Sequence, residues 1–521
     1  MPITEMLSLN AQMYPHEVSL VERDPAANIR REITWLEFDL MANQLAHTLI
    51  SRGVKPNDKV AILMMNCLEW LPVYFGILKT GALAVPLNFR FTASEIKKCL
   101  NTAGAKVLIF GPEFKERIES IMNNTCCVEN FIFVGNDNST NAENFFDIII
   151  NQPSHCPDIP ITDDQEAALY FTSGTTGTPK PILLTHSNLV SACITENHHH
   201  LQTREDNFLC IPPLYHTGAK MHWFGSLIVG SKAVILKGVK PQYILEAVSE
   251  EQATIVWLLV PWAQDILDAI ESGEVNLEDY KLDQWRLMHI GAQPVPPSLI
   301  KRWRKYFPNQ AYDTNYGLSE STGPGCVHLG IDNIHKVGAI GKPGYNWQAK
   351  IVDEKGKEVP SGQTGELIVK GPGVMKGYYN NEAETKKVLK DGWLYTGDMA
   401  RKDSDGFIYL VDRKKDIIIS GGENIFPVEV EDFLQEHEDI KDVAVIGMPD
   451  ERLGEIPVAI VETKPGRQLT EAEVLDFCQP LPRYKRPRKV IFDKVPRNPT
   501  GKIEKPVLRE KWCGTYISVF I

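Results

Sequence analysis

The sequence TSGTTGTPK, residues 172–180, combines hydroxyl side chains, two glycines and a lysine within nine residues. Glycines let backbone N–H groups approach an anion, hydroxyls donate further hydrogen bonds, and a lysine adds a mobile positive charge. A strand-like run, AALYF at 167–171, precedes this stretch, and the apolar residues 182–185 follow it. We therefore predict a polyphosphate-binding loop between two strands. An ordinary Ser/Thr/Gly turn is the alternative, because the spacing matches neither GxxxxGKS/T nor GxGxxG.

The bulk composition indicates a globular protein with reduced cysteines. The 521 residues, 43% of them hydrophobic and 23% charged, suffice for about three or four structural units. A net charge of −12 argues against a general nucleic-acid binder and against an anionic membrane surface. The ten cysteines are scattered without a CxxC pair, and MPITEMLSLNAQ at 1–12 lacks the pattern of a signal peptide. We expect a cytoplasmic protein without an integral membrane segment.

Hydrophobic periodicity predicts alternating strands and helices from residue 33 onward. Helical spacing covers 33–53, which ends in Arg52 and Gly53 as a C-cap, and also 68–80 and 92–102. Short apolar runs predict strands at 59–64, 82–87, 105–110, 208–211, 233–236, 254–260 and 287–290. This alternation is typical of βαβ units around a parallel sheet that is covered on both faces.

Two further units follow the alternating region. Shorter strands at 349–352, 365–369 and 406–411 predict a β-rich subdomain. From about Asp416 a compact α+β segment is predicted, with helices at 427–436 and 471–479 and strands at 443–447 and 458–462. We place the domain boundary in the charged stretch from Arg413 to Asp416, which divides the chain into 1–414 and 415–521. The fold class is α/β, with a small α+β C-terminal domain.

Other clusters carry the residue types of a nucleotide site. NYGLSE at 315–320 places Tyr316 and Glu320 four residues apart, which suits purine stacking and a magnesium ion beside phosphates. DGWLYTGD ends in Asp398, a carboxylate suited to a ribose diol, and PRNPTGKIEK at 496–505 places Lys502 after a turn. Taken singly, Asp398 could cap a turn, Tyr316 could belong to the core and Lys502 could be a surface lysine.

The triplet of histidines at 198–200 resembles a metal site only superficially. Consecutive side chains on a helix point in different directions, so three in a row rarely bind one ion. We interpret this triplet as a solvent-facing helix patch.

The order and identity of these motifs resemble the adenylate-forming superfamily of acyl- and aryl-CoA synthetases, peptide-synthetase adenylation domains and luciferases. The resemblance extends from the helix at Trp35 to Lys505, and SGGENIFPVEVE at 420–431 is similar to the acid:CoA ligase form of the hinge motif. It implies a large N-terminal domain of doubly wound sheets and a C-terminal domain that moves on a hinge. Pro181 departs from the family, which usually has glycine after the lysine, and its fixed φ stiffens the loop's exit.

The resemblance also implies roles for individual residues. The catalytic set is Lys502, His216 and the hinge residue Lys415. The ATP site is Thr172, Ser173, Gly174, Thr175, Thr176, Gly177, Lys180, Gly291, Ala292, Gln293, Tyr316, Gly317, Ser319, Asp398 and Arg413, and the Mg²⁺ ligand is Glu320. Coenzyme A would contact Gly421, Gly422 and Glu423, and the acyl pocket would be walled by Tyr215, Trp223 and Trp257.

These roles imply an ATP-dependent carboxylic acid:CoA ligase that uses Mg²⁺ and forms AMP. Two alternatives stay open: an adenylating enzyme that loads a carrier protein, and a non-catalytic binding protein. Aromatic residues near the gate favour medium-chain, alicyclic or aromatic acids over long-chain fatty acids. No basic residue is evident among the candidate wall residues, which disfavours dicarboxylates. The sequence leaves homo-oligomerisation undecided.

Overall fold

The computed structural model describes residues 1–125, 127–136, 141–172, 180–291, 295–327, 331–498 and 502–514. The strands are β1 Val18–Asp24, β2 Ile29–Thr34, β3 Lys59–Leu63, β4 Leu83–Pro86, β5 Val107–Phe110, β6 Asn130–Phe133, β7 Glu143–Asn144, β8 Glu166–Thr172, β9 Lys180–Thr185, β10 Asn207–Cys210, β11 Lys232–Leu236, β12 Ile255–Leu259, β13 Leu287–Gly291, β14 Ala311–Asp313, β15 Asn315–Gly317, β16 Pro324–Val327, β17 Lys342–Pro343, β18 Gln348–Val352, β19 Gly365–Lys370, β20 Gly377–Tyr378, β21 Leu389–Lys390, β22 Trp393–Lys402, β23 Ile408–Arg413, β24 Ile418–Ser420, β25 Glu423–Ile425, β26 Ile440–Asp450, β27 Gly454–Thr463 and β28 Lys489–Phe492.

The helices are α1 Ile3–Met13, α2 Trp35–Ser51, α3 Trp70–Leu78, α4 Ala93–Ala103, α5 Lys115–Met122, α6 Phe145–Ile149, α7 His186–His200, α8 Thr217–Val229, α9 Pro241–Glu251, α10 Val260–Glu271, α11 Pro297–Tyr306, α12 Glu382–Val388, α13 Pro427–Leu434, α14 Glu471–Phe477 and α15 Lys505–Cys513. Local signals set several of these bounds. Thr34, Thr92 and Thr470 each begin a helix with a capping box, and Gly53 follows α2 with φ +81°.

The first large sheet has eight strands in the order β20-β9-β8-β4-β3-β5-β6-β7. Strand β3 pairs in parallel with β4 on one side and with β5 on the other, so the sheet is wound in both directions from β3. Strands β8 and β9 are antiparallel. The parallel sheet predicted from the alternating elements therefore ends in an antiparallel hairpin, because a connection of seven residues is too short to cross over between parallel strands.

The second large sheet has seven strands in the order β14-β13-β12-β10-β11-β1-β2, parallel except for the β1–β2 pair. Helices α2, α3, α7 and α8 lie between the two large sheets in one apolar core. On β3, Val60 and Ile62 face this core, whereas Ala61 and Leu63 face the core under α4 and α5. Helices α9 to α11 cover the far side of the second sheet.

The predicted β-rich region is a five-stranded antiparallel sheet of β18, β19, β21, β22 and β23. The chain leaves it at Arg413 and enters the C-terminal five-stranded sheet at Ile418. The nine cysteines of the described residues are free thiols. Among the described helices, none combines the length and the apolar character needed to cross a bilayer.

The histidine triplet ends helix α7, and its three side chains have different environments. His198 is exposed and stacks on Tyr345, while the Nε2 of His199 accepts a hydrogen bond from the Tyr345 N–H. His200 is only 5% exposed. The solvent-facing interpretation is thus wrong for His200, because this position of α7 faces the second sheet.

Candidate active site

The predicted phosphate loop connects the ends of two adjacent antiparallel strands. Thr172 and Lys180 are register partners across β8 and β9. The predicted phosphate ligands Ser173, Gly174, Thr175, Thr176 and Gly177 lie outside the described residues, as do Ala292 and Gln293. Their roles stay predictions, while the two flanking strands are confirmed.

Lys180 stands at the start of β9 beside helix α12. Its ammonium lies 2.7 Å from Glu384 and 5.5 Å from the centre of the Tyr378 ring. Hydrogen bonds from Lys180 and Lys387 lower the pKa of Glu384 to about 2. The ammonium of Lys180 is thus held by a carboxylate at the edge of the loop.

The ribose side of the predicted site is built on the β22–β23 ladder. Asp398 and Arg413 are register partners, and the Nε of Arg413 lies 2.9 Å from Oδ1 of Asp398. The hydroxyl of Tyr316 donates to Oδ2 of Asp398 at 2.6 Å. Each carboxylate oxygen has a second lone pair, so Asp398 can still accept ribose hydroxyls. Tyr316 is only 8% exposed, and its hydroxyl bond fixes the ring that is predicted to stack on adenine.

The backbone beside Tyr316 is tightly packed and locally strained. A Cβ on Gly317 would lie 2.3 Å from the carbonyl oxygen of Gly323, so only glycine fits there. Thr322 has φ +58°, which is rare for a β-branched residue. Its buried Oγ1 has no hydrogen-bond partner among the described residues. Sequence reasoning missed Thr322, since nothing in its neighbours signals the strained φ.

Glu320, the predicted magnesium ligand, lies on a short 3₁₀ turn at Ser319–Ser321 and is half-buried. Its Oε1 accepts a hydrogen bond of 3.0 Å from the Tyr378 hydroxyl, and its backbone oxygen accepts one from Met375. A half-buried carboxylate oxygen is the donor type that Mg²⁺ prefers. Glu320 therefore fits the predicted ion, and Tyr378 is a neighbour that the sequence did not indicate.

Lys502 belongs to the C-terminal part of the chain, and its charge interacts with Asp398, Arg413 and Glu320. The residue as a whole is exposed, but burial of its ammonium and the nearby Arg413 lower its pKa, and Asp398 and Glu320 oppose that shift. Burial and the charges of Lys502 and Lys220 lower the pKa of His216 to about 3. The charge of Lys502 thus acts on Asp398, Glu320 and His216, and the roles of these residues stay predictions.

The predicted hinge and coenzyme A residues lie further along the same segment. Lys415 is an exposed residue in the turn 414–416, and the neighbouring Asp416 is buried and ion-paired with Arg509 at 2.7 Å. Gly421 and Gly422 connect β24 to β25 with φ +60° and +87°. The N–H of Gly421 donates to Leu453, so the loop packs within the C-terminal sheet, and Glu423 is exposed on β25.

The predicted acyl-pocket residues differ in their surroundings. Tyr215 packs edge-on against Phe89 and next to His216. Trp257 touches Gly218, where a Cβ would lie 3.1 Å from the indole, and lies beside His289. Trp223 is instead fully buried between the large sheets, with ring contacts to Phe38 and Phe75. These contacts give Trp223 the environment of a core residue.

Lys220 is a buried cation that sequence reasoning did not single out. Its ammonium donates to the carbonyls of Leu214 and His216 and faces the rings of Trp70, Tyr74 and Tyr170. Burial holds its pKa well below the usual range. Lys220 borders a narrow gap, too small to admit a water molecule, that is also lined by Thr217, Phe224 and Thr322.

The fold and this site together define an adenylate-forming enzyme. Residues 7–379 match the family described as AMP-binding enzyme, and residues 429–502 match the AMP-binding enzyme C-terminal domain. The chain therefore belongs to the AMP-binding enzyme family, in the branch of AMP-forming acid–CoA ligases.

Individual relatives cover nearly the whole chain. A feruloyl-CoA synthase of an Amycolatopsis species is 33% identical over 508 residues, which are 96% of this chain and 97% of that protein. The long-chain-fatty-acid–CoA ligase FadD13 of Mycobacterium tuberculosis is 31% identical over 513 residues, 98% of each. The structure of the anthranilate CoA ligase AuaEII with anthranoyl-AMP superposes with a TM-score of 0.88 at 26% identity, covering 98% of this chain and 97% of that one.

Proposed function

We propose that this chain activates a small carboxylic acid with ATP and transfers the acyl group to coenzyme A, releasing AMP and pyrophosphate. The observation that supports the proposal is the position of Lys502, a C-terminal residue whose charge interacts with Asp398 and Glu320 of the N-terminal part. An acid carboxylate and an ATP phosphate are both anions, so they approach each other only beside compensating positive charge. Positioning and charge neutralisation are the main requirements of such phosphoryl chemistry.

In the first half-reaction an oxygen of the acid attacks the α-phosphorus of ATP in line, and pyrophosphate leaves. Lys502 bridges the substrate carboxylate and the α-phosphate, and Asp398 with Arg413 holds the ribose. Lys180 supports the β- and γ-phosphates together with the loop at 172–179. Glu320 would hold Mg²⁺, which would further neutralise the phosphate charge.

In the second half-reaction the thiol of coenzyme A attacks the acyl carbonyl of the adenylate, and AMP leaves. We propose that the C-terminal domain, 415–521, first rotates about Lys415. The rotation withdraws Lys502 and brings Gly421, Gly422 and Glu423 to the site. Glycines suit a passage through which the thin pantetheine chain runs close to the backbone.

The acid is proposed to be medium-chain, alicyclic or aromatic. Tyr215 and Trp257 would shorten the pocket, whereas Trp223 contributes to the core behind it. The position of Lys220 bears on the expectation that dicarboxylates are disfavoured. Its ammonium donates to the carbonyl of His216, so a basic group lies near the pocket region and acids with a second oxygen acceptor belong among the candidates.

A pyrophosphate-release assay tests the proposed activity and its substrate class. The panel contains acetate, hexanoate, octanoate, palmitate, benzoate, cyclohexanecarboxylate, ferulate and adipate, each with ATP and Mg²⁺. We expect acid-dependent release with a medium-chain, alicyclic or aromatic member. A preference for palmitate would contradict the proposed acid class, and no release with any member would contradict the activity. AMP formation that requires coenzyme A identifies coenzyme A as the acceptor. Turnover with a carrier protein alone would contradict this acceptor.

A further inference from the structure

Three buried side chains converge at a place that the proposed reaction does not use. Glu196 and His200 lie one turn apart on α7, so they share a helix face, and His289 reaches them from β13. Their exposed fractions are 2%, 5% and 0%, respectively. Two imidazoles and a carboxylate in one buried cluster are a common ligand set for a transition metal.

The distances within this cluster fit a single ion. Nε2 of His200 lies 3.1 Å from Nδ1 of His289 and 3.5 Å from Oε1 of Glu196, and the same two atoms of His289 and Glu196 are 3.8 Å apart. The point equidistant from all three atoms lies about 2.0 Å from each of them. That is the bond length of zinc to imidazole nitrogen and carboxylate oxygen, roughly 2.0–2.2 Å.

Nε2 of His200 has more close neighbours than one hydrogen can serve. A neutral imidazole nitrogen carries at most one hydrogen, directed along one line in the ring plane. Nε2 of His200 has three close neighbours, since Oδ2 of Asp313 lies 3.3 Å away in addition to His289 and Glu196. One proton cannot serve all three contacts, whereas a cation placed between the donor atoms serves its ligands at once.

Neighbouring residues orient and balance the cluster. Nδ2 of Asn315 donates to both oxygens of Glu196, at 2.9 and 2.8 Å, and so fixes the carboxylate. Such outer contacts commonly hold metal ligands in position. Glu196 and Asp313 together bring two buried negative charges, which a divalent cation neutralises.

We propose that Glu196, His200 and His289 form a binding site for a divalent transition-metal ion, with Zn²⁺ the best match to the donor set. The ion ties α7 to β13 and, through Asn315, to the segment that carries Tyr316. Its role is structural, because the ion joins a helix to a strand and none of its ligands takes part in the proposed reaction. The site is separate from the magnesium ligand Glu320, and His289 lies beside the proposed acyl-pocket residue Trp257.

Metal analysis of full-length protein without a histidine tag tests the proposal directly. After expression in zinc-supplemented medium and gel filtration, we expect about one zinc per chain by plasma mass spectrometry. Replacement by Co²⁺ should give the visible d–d absorption of a low-coordinate cobalt site. Removal of the ion with a chelator should lower the melting temperature, and added zinc should restore it.

Matched variants separate this site from adventitious binding. His200→Asn and Glu196→Gln should lose the bound zinc and the cobalt spectrum, whereas His198→Asn, a change at the exposed histidine of the same triplet, should keep both. Circular dichroism checks that each variant is folded. Wild-type protein without zinc and without a cobalt spectrum would overturn the proposal even if the variants do not fold, and so would equal zinc loss in His198→Asn. The cluster would then be a proton-sharing network in which Glu196 and Asp313 raise the pKa of His200 against the effect of burial.

Discussion

Two lysines in the site have different electrostatic surroundings, and this difference assigns them different tasks. Lys180 is paired with the carboxylate of Glu384, which itself is held by Lys387. Lys502 has a partly desolvated ammonium next to the like charge of Arg413. A cation in such a position gains most from an arriving anion, so Lys502 is suited to the reacting carboxylate and α-phosphate, while Lys180 supports the outer phosphates.

Lys502→Ala should abolish adenylation and leave the transfer of a supplied acyl-adenylate to coenzyme A largely intact. Loss of a charge that stabilises the transition state costs about 10²-fold to 10³-fold in rate. Acid-dependent pyrophosphate release measures the first step, and thioester formation from synthetic acyl-adenylate measures the second. Lys494→Ala, a change at an exposed lysine of the same segment, is the control. Equal loss of both half-reactions in Lys502→Ala would contradict the assignment of Lys502 to adenylation alone.

His186 should make the protein less stable in acid. Burial lowers the pKa of this histidine to about 4, and only 1% of its surface is exposed. Between about pH 6.5 and pH 4 the unfolded chain binds the proton and the folded chain does not. Up to about 3 kcal/mol of the unfolding free energy present above pH 6.5 is therefore lost on acidification. His186→Asn should flatten the fall in melting temperature between pH 7 and pH 4.5, with His16→Asn as the exposed control. An unchanged slope in His186→Asn would refute this effect.

Individual site residues could be predicted because each chemical step restricts the residue type. The motifs indicate Asp398 and Tyr316, the family resemblance implies Arg413, and the structure places the three in one hydrogen-bonded group. The partners Tyr378 and Glu384 could not be named, because they reach Glu320 and Lys180 only through pairing of β20 with β9. The strained φ of Thr322 is likewise set by the packing of its turn.

At the scale of elements, the connection between β23 and β24 is the segment on which the proposed rotation depends. The N–H of Lys414 donates to Gly397 and that of Asp416 donates to Arg413. Lys415 lies between these two anchored residues and is itself exposed. A change of φ and ψ at Lys415 can therefore redirect the chain without breaking either large sheet.

Lys415→Pro should block the second half-reaction and spare the first. Proline fixes φ near −65° and restricts the preceding residue, so the hinge cannot reach a second conformation. We expect pyrophosphate release within a few-fold of wild type and thioester formation reduced by about 10²-fold or more. Lys415→Ala is the matched control and should affect neither step strongly. Retention of full thioester formation in Lys415→Pro would rule out rotation at this residue.

The helices and strands that the sequence predicts match those of the structure to within a few residues. The strand predicted at 59–64 is Lys59–Leu63, and the helix predicted at 427–436 is Pro427–Leu434. These elements are defined by local signals, namely apolar periodicity, capping residues and proline. The sequence also carries the signal for the antiparallel β8–β9 hairpin, since its seven-residue connection is too short for a parallel crossover.

At the scale of the whole molecule, polar contacts join the N-terminal and C-terminal parts. Arg90 donates to the carbonyl of Arg497 at 3.2 Å, and the N–H of Val428 donates to Asp412 at 3.0 Å. Both contacts lie between the C-terminal segment and residues before the turn 414–416. They are single polar contacts, so an exchange between two domain orientations is compatible with the structure.

Limited trypsin digestion should locate the domain boundary and report ligand binding. Lys414 and Lys415 are exposed in the turn, so we expect early cleavage there into fragments near 1–414 and 415–521. A non-hydrolysable acyl-adenylate analogue should slow this cut, because it adds ligand contacts to Lys502 and Asp398. N-terminal sequencing of the fragments identifies the site. First cleavage elsewhere would contradict the domain boundary. A cleavage rate unchanged by the analogue would contradict ligand contacts to both Lys502 and Asp398.

The sequence by itself determined the α/β architecture, the β-rich unit and the motif residues, because periodicity and residue chemistry are local properties. Tertiary structure alone decided which distant residues meet. It brings Lys502 to Glu320 and Asp398, and it buries His200 beside Glu196 and His289 while His198 stays exposed. Successive residues on a helix differ only in the direction of their side chains, so which of three adjacent histidines is buried depends on the sheet against which α7 packs.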